Sequence, residues 1–134
     1  MSGIDERTIV DLLRSEIAGL EVLYLFGSSV GSSVSSPGDI DIAVLTHHPL
    51  DGPQRWGLQE KLARLLHIDV DLVDLRSAST VLRMQVVAHG KVLYEADPIG
   101  REKFEDTVFS AYARLNESRR ELLKDVISHG RVYA

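Results

Sequence analysis

Runs of apolar residues and their spacing divide the chain into strands and helices before any chemistry is considered. Val22-Leu23-Tyr24-Leu25-Phe26 is continuously apolar and β-prone and stops at Gly27, the pattern of a strand buried on both faces. Asp39-Ile40-Asp41-Ile42-Ala43-Val44-Leu45 and Asp69-Val70-Asp71-Leu72-Val73-Asp74 alternate acidic with apolar positions, as strands with one polar face do. The whole pattern predicts a helix over 4–18, a strand over 21–26, a short helical turn over 28–34 and a strand over 39–45. It continues with a helix over 53–66, a strand over 69–74, a helix over 79–89, a strand over 91–95 and a helix over 98–128. Gly90 stops the third long helix, and Asp97-Pro98 supplies the N-cap and first position of the last. The expected fold is α/β (α+β): a small mixed β-sheet with flanking helices.

The last predicted helix carries Phe104, Val108, Ala111, Leu115, Leu122 and Val126 near one face, with Arg114, Arg119, Arg120, Glu121 and Lys124 around the rest. Core packing explains such a stripe. A helix this long is nevertheless unusual in so small a domain, and its C-terminal half is expected to project beyond the sheet and meet another protein.

Chemistry concentrates where the first two strands meet their connection. Gly27 ends a strand, where the lack of a side chain lets backbone approach a ligand closely. If Ser28 opens a helical turn, its N–H groups and hydroxyl form an anion site suited to phosphate. After Ser28 come ten residues, then Asp39-Ile40-Asp41. Asp39 and Asp41 share one strand face, with α-carbons about 6.5 Å apart, so their carboxylates can converge on one ion or bridge two. Two magnesium ions roughly 3.5–4 Å apart activate an attacking oxygen while neutralising charge on a leaving phosphate. A third carboxylate comes from the strand beginning at Asp69. Asp69 and Asp71 face one way and Asp74 the other. The sheet face alone does not choose between Asp69 and Asp71, although Asp71, further into the strand, is the better placed to meet Asp39 and Asp41.

Other polar features have plainer explanations. The spacer from Ser29 to Gly38 is rich in serine and glycine and reads, in its middle, as a surface loop. His47 and His48 are adjacent and lack the spacing of a zinc site. His67, His89 and His129 stand near predicted helix ends, where the helix dipole accounts for them.

At 134 residues and 44% hydrophobic content, the chain is expected to form one domain over 1–134, ending in the long helix at about 98–128. It has no cysteine, no apolar run near the roughly 20 residues of a membrane span and no signal sequence at its start, so a cytoplasmic location without membrane attachment is expected. The net charge of −5 argues against direct nucleic-acid binding through phosphate neutralisation.

Gly27-Ser28, ten residues, Asp39-Ile40-Asp41 and the later Asp69-Val70-Asp71-Leu72-Val73-Asp74-Leu75, in that order, resemble the minimal nucleotidyltransferases of the DNA polymerase β superfamily. More narrowly, the chain length and the run Asp71-Leu72-Val73-Asp74-Leu75-Arg76-Ser77-Ala78-Ser79 resemble the MntA antitoxins of HEPN/MNT toxin–antitoxin modules. The resemblance covers about residues 5–95 and continues more weakly to the end. It implies a magnesium-dependent protein adenylyltransferase that transfers AMP from ATP to a tyrosine of a partner HEPN ribonuclease toxin and so silences it. Gly27 and Ser28 would bind nucleotide, Asp39 and Asp41 would be catalytic, and Asp39, Asp41 and Asp71 would bind metal. The chain departs from the family pattern at Ser32, where glycine is usual and Gly31 stands one place early, and at Gly38, where serine is common. No Lys or Arg lies between Ser28 and Asp39, so basic contacts to the triphosphate are expected from Arg55, Lys61, Arg64 or Arg83. Two other readings share these residues: an antitoxin that blocks its toxin by stoichiometric binding alone, and a nucleotidyltransferase acting on a small molecule.

Overall fold

The apolar run before Gly27 becomes the centre of a four-stranded mixed sheet in a computed structural model that describes residues 5–27 and 39–128. In chain order the elements are α1 (Glu6–Glu16), β1 (Leu20–Phe26), β2 (Asp39–Thr46), α2 (Gly52–Leu66), β3 (Asp69–Asp74), α3 (Thr80–His89), β4 (Lys91–Glu95) and α4 (Pro98–Ser128). The predicted helical turn over 28–34 lies outside the described residues. The expected first helix, 4–18, is shorter as found. Ile17 takes an extended conformation and caps the helix through its N–H to the Leu13 carbonyl.

The strand order is β3-β2-β1-β4. β1 pairs antiparallel with both β2 and β4, whereas β2 and β3 run parallel, joined by α2 as a parallel pair requires. Strand alternation sends the two faces of the sheet into separate cores. On one face Leu23, Leu25, Ile40, Ile42, Val44, Val70 and Leu72 meet Ile9 and Leu13 of α1 and Leu58 and Leu62 of α2. On the other, Val22, Tyr24, Ala43, Leu45 and Leu75 meet Val86 of α3, with Phe104 of α4 packed alongside.

Each helix start is fixed by a side-chain acceptor. Asp5, Asp51, Ser79 and Asp97 accept from the backbone N–H of Thr8, Gln54, Leu82 and Ile99. The helix ends differ more. α2 closes on His67 in the left-handed region, at φ 60°. α3 closes on Gly90, which is extended rather than left-handed. Glycine is required there for space, because a β-carbon would stand 2.5 Å from the Val86 carbonyl oxygen.

β3 is an edge strand, and its outward backbone groups would be open to pairing with another chain. Side chains of α2 occupy those of Leu72. The Gln59 Oε1 accepts from the Leu72 N–H at 2.9 Å, and Arg55 donates to the Leu72 carbonyl at 3.2 Å. Gln59→Ala should therefore lower stability by about 1 kcal/mol through the half-buried Leu72 N–H it leaves unpaired, measured by urea unfolding.

Tyr24, 1% exposed, bolts α4 to the sheet from the other face. Its hydroxyl donates to Glu105 Oε2 at 2.8 Å, Arg101 donates to the same oxygen at 3.0 Å, and Arg101 also pairs with Glu95 of β4. Burial, then the Glu105 carboxylate, push the Tyr24 hydroxyl far above its usual 10.0. A raised folded-state value favours the protonated hydroxyl in the native protein, so its contribution is complete below pH 10 and falls away as pH rises beyond it. Tyr24→Phe should cost about 1 kcal/mol near neutral pH and flatten the loss of stability above pH 10, both read from thermal melts across pH.

Candidate functional site

The antiparallel pairing of β1 and β2 folds the two halves of the sequence motif onto each other. Phe26 stands opposite Asp41, so Gly27, one residue further, lies directly against the Asp41 side chain. Gly27 has φ +85°, and a β-carbon there would fall 2.0 Å from Asp41 Oδ2. Glycine meets two demands at this point: a backbone conformation that side chains resist, and room for a carboxylate.

The parallel pairing of β2 and β3 brings up the remaining acids. Asp39 pairs with Asp69 and Asp41 with Asp71, on strands about 4.8 Å apart. Asp41 is half-buried, whereas Asp69 and Asp71 are exposed. The register thus puts Asp71, rather than Asp69, beside Asp41. Ser28 and the side chain of Asp39 lie outside the described residues. Among the described residues no three metal-capable side chains converge.

Asp74 follows the alternation to the opposite face, as its position in the strand predicts, and it is 6% exposed. It accepts from the backbone N–H of Leu50 at 3.0 Å and of Arg76 at 3.1 Å, and from the Ser77 hydroxyl at 3.1 Å. Its role is to tie the connection after β2 to the turn after β3, a part that strand alternation alone does not reveal.

Three of the four cations expected to reach a triphosphate have partners within the fold. Arg55 holds the Leu72 carbonyl, Lys61 pairs with Glu16 of α1 at 2.8 Å, and Arg83 donates to the carbonyls of Leu75 at 2.7 Å and Arg76 at 2.9 Å. Arg64 lines a shallow surface depression with Glu60, His67 and Asp69. A guanidinium meets carbonyl oxygens and phosphate oxygens with the same N–H groups, and sequence spacing does not distinguish the two.

The family model described as polymerase beta, nucleotidyltransferase, matches residues 7–99, from α1 through β4 into the start of α4. The chain belongs to the polymerase beta nucleotidyltransferase family. This nucleotidyltransferase is 44% identical over 129 residues to the protein adenylyltransferase MntA of Shewanella oneidensis, covering 96% of this chain and 92% of that one. A solved toxin–antitoxin structure with AMP-PNP superposes with TM-score 0.83 at 45% identity, over 92% of this chain and 99% of that one. A second, an MNT antitoxin in complex with the tri-AMPylated HEPN toxin of Shewanella oneidensis, gives TM-score 0.76 at 46% identity, over 91% and 95% of the two chains.

Gly27→Ala should strain the backbone and displace the Asp41 carboxylate together. The expected result is a loss of about 1–3 kcal/mol in urea unfolding, with shifted amide resonances at Asp41 and its β1 neighbours.

Proposed function

We propose that this chain is a magnesium-dependent protein adenylyltransferase that transfers AMP from ATP to a tyrosine of a cognate HEPN toxin in the cytoplasm, neutralising it. The observation that carries this reading is the meeting of Gly27 with Asp41, and of Asp41 with Asp71, at one end of one sheet face. Support comes from the relatives, named for protein adenylyltransferase activity and solved with AMP-PNP or with an AMPylated toxin.

The donor chemistry fits the metal. Carboxylate oxygens are the hard ligands magnesium takes, and acids in register on neighbouring strands can offer them to one ion. Asp39, Asp41 and Asp71 would hold the ions. Bound there, magnesium lowers the cost of forming a tyrosine alkoxide and of building charge on the α-phosphate and the departing pyrophosphate. Gly27 leaves its backbone open to the nucleotide phosphates, and Ser28 adds a hydroxyl donor. The tyrosine loses its proton, its oxygen bonds to the α-phosphorus, and the bond from that phosphorus to pyrophosphate breaks. The toxin thereby brings the nucleophile, and a chain of this size supplies the nucleotide side. Leu122, Leu123 and Ile127, each at least 60% exposed on the distal half of α4, form an apolar strip suited to such a partner.

Asp41→Asn should reduce AMP transfer by at least about a thousandfold, since it removes a carboxylate on which the metal chemistry depends, while unfolding is little changed. The measurement is the intact mass of the cognate toxin after incubation with this chain, ATP and magnesium. Retained labelling by the variant overturns the assignment of Asp41. A toxin that wild-type protein inhibits at equimolar ratio with no gain in mass overturns the catalytic reading.

A further inference from the structure

A second polar cavity opens on the same sheet face as Asp41 and Asp71, at the opposite end. It has a volume of about 270 Å³ and is lined by Glu21, Leu45, Arg76, Arg83, Lys103 and Thr107, with Gly100 and Phe104 completing the α4 wall. Leu45 lies four residues along β2 from Asp41, about 13 Å away by strand rise.

The charges here are arranged for an anion. Arg76 donates through Nε to the Thr46 carbonyl at 2.7 Å and through Nη2 to Glu21 at 3.2 Å. Arg83 donates to the carbonyls of Leu75 and Arg76. Arg83 is therefore held by neutral carbonyl oxygens, which orient a cation without cancelling its charge, while Arg76 is held by one carbonyl and shares the Glu21 carboxylate with His47. Each keeps a further nitrogen uncommitted among the described residues. The Lys103 ammonium has no hydrogen bond or ion pair among the described residues. Glu21 is the one acid lining the cavity, and it is shared with His47 at 2.8 Å. Three cations around one carboxylate repel each other, and an anionic guest relieves that repulsion.

We propose that this cavity binds a phosphoryl group, a monoester or diester of the kind a nucleotide carries. Its volume lies just below the roughly 300–1,000 Å³ of small-molecule pockets, which suits a phosphate with part of its ester rather than a whole triphosphate nucleotide. Two sources present this chemistry: a free nucleotide, and an AMP unit already attached to the toxin. The second source rests on the adenylyl-transfer reading above, and the toxin of one relative carries three such units.

The test titrates the isotope-labelled full chain with inorganic phosphate and with AMP, in EDTA so that no metal engages the aspartates. Saturable shifts are expected at the amides of Arg76, Arg83, Gly100, Lys103 and Thr107. Lys103→Glu and the milder Lys103→Gln, on the exposed side of α4, should weaken both ligands roughly tenfold or more, with unchanged amide positions in β1 and β2 reporting an intact fold. No saturable shift at these residues, or equal affinity in the variants, overturns the proposal. With the phosphate site established, toxin carrying one AMP is compared with unmodified toxin. A gain in affinity that Lys103→Glu abolishes assigns the site to the attached nucleotide, and equal binding of both toxins assigns it to free nucleotide. Because phosphate binding is read without turnover, it fails independently of adenylyl transfer.

Discussion

Everything at the acidic end of the sheet depends on the antiparallel pairing that lays the end of β1 against the start of β2. Phe26 opposite Asp41 fixes where Gly27 falls, and the left-handed turn at Gly27 clears the volume that Asp41 Oδ2 occupies. A slip of one residue would turn Asp41 into the core beneath α1 and α2 and bring Ile42 out to the site. The register resists such a slip because Ile40, Ile42 and Val44 are buried against α1 and α2, and Ala43 and Leu45 against α3. Hydrophobic burial on both faces thus sets the position of carboxylates that contribute nothing to it. Asp71 is located by the same means, its neighbours Val70 and Leu72 being buried on the α2 side.

The rest of the architecture keeps that end of the sheet accessible. α1 and α2 cover one face, and α3 with the base of α4 covers part of the other. α3 begins only after the turn built on Asp74, and α4 is held near β1 and β4 by Tyr24, Glu105, Arg101 and Glu95. Neither helix covers Asp71, which stays exposed. Cations of the helices and of β4 are engaged within the fold: Arg55 at the β3 edge, Lys61 with Glu16, and Lys91 with Glu6.

Much of this was legible in the chain. β3 and β4 have the bounds that alternation and Gly90 predict, and α4 starts where Asp97-Pro98 predicts, proline being suited to the first helical position. The shared face of Asp69 and Asp71 and the opposite face of Asp74 follow from the period of a strand. That Asp69 falls beside Asp39 and Asp71 beside Asp41 needed the parallel register, which no local pattern encodes. The partners of Arg55 and Arg83 were not legible either, since a guanidinium meets a carbonyl or a phosphate with the same N–H groups. Gly90 was recognised as a stop for a reason the structure replaces: its extended backbone suits other residues, and close contact with the Val86 carbonyl excludes them. The cationic cavity was hidden because Glu21, Arg76, Arg83 and Lys103 come from four separate places in the chain.

The sheet face shared by these two clusters is polarised. Asp41 and Asp71 mark one end, Arg76, Arg83 and Lys103 the other, and the apolar floor of Ala43, Leu45, Val73 and Leu75 separates them. An anionic ligand approaching the acidic end meets carboxylates. At the other end the charge belongs to the protein, with Arg83 fixed by backbone carbonyls, so attraction there declines as salt screens it. A phosphorylated molecule reaching across this face meets cations at one end and carboxylates at the other. The polarity of the face gives an approaching phosphate a direction as well as a place.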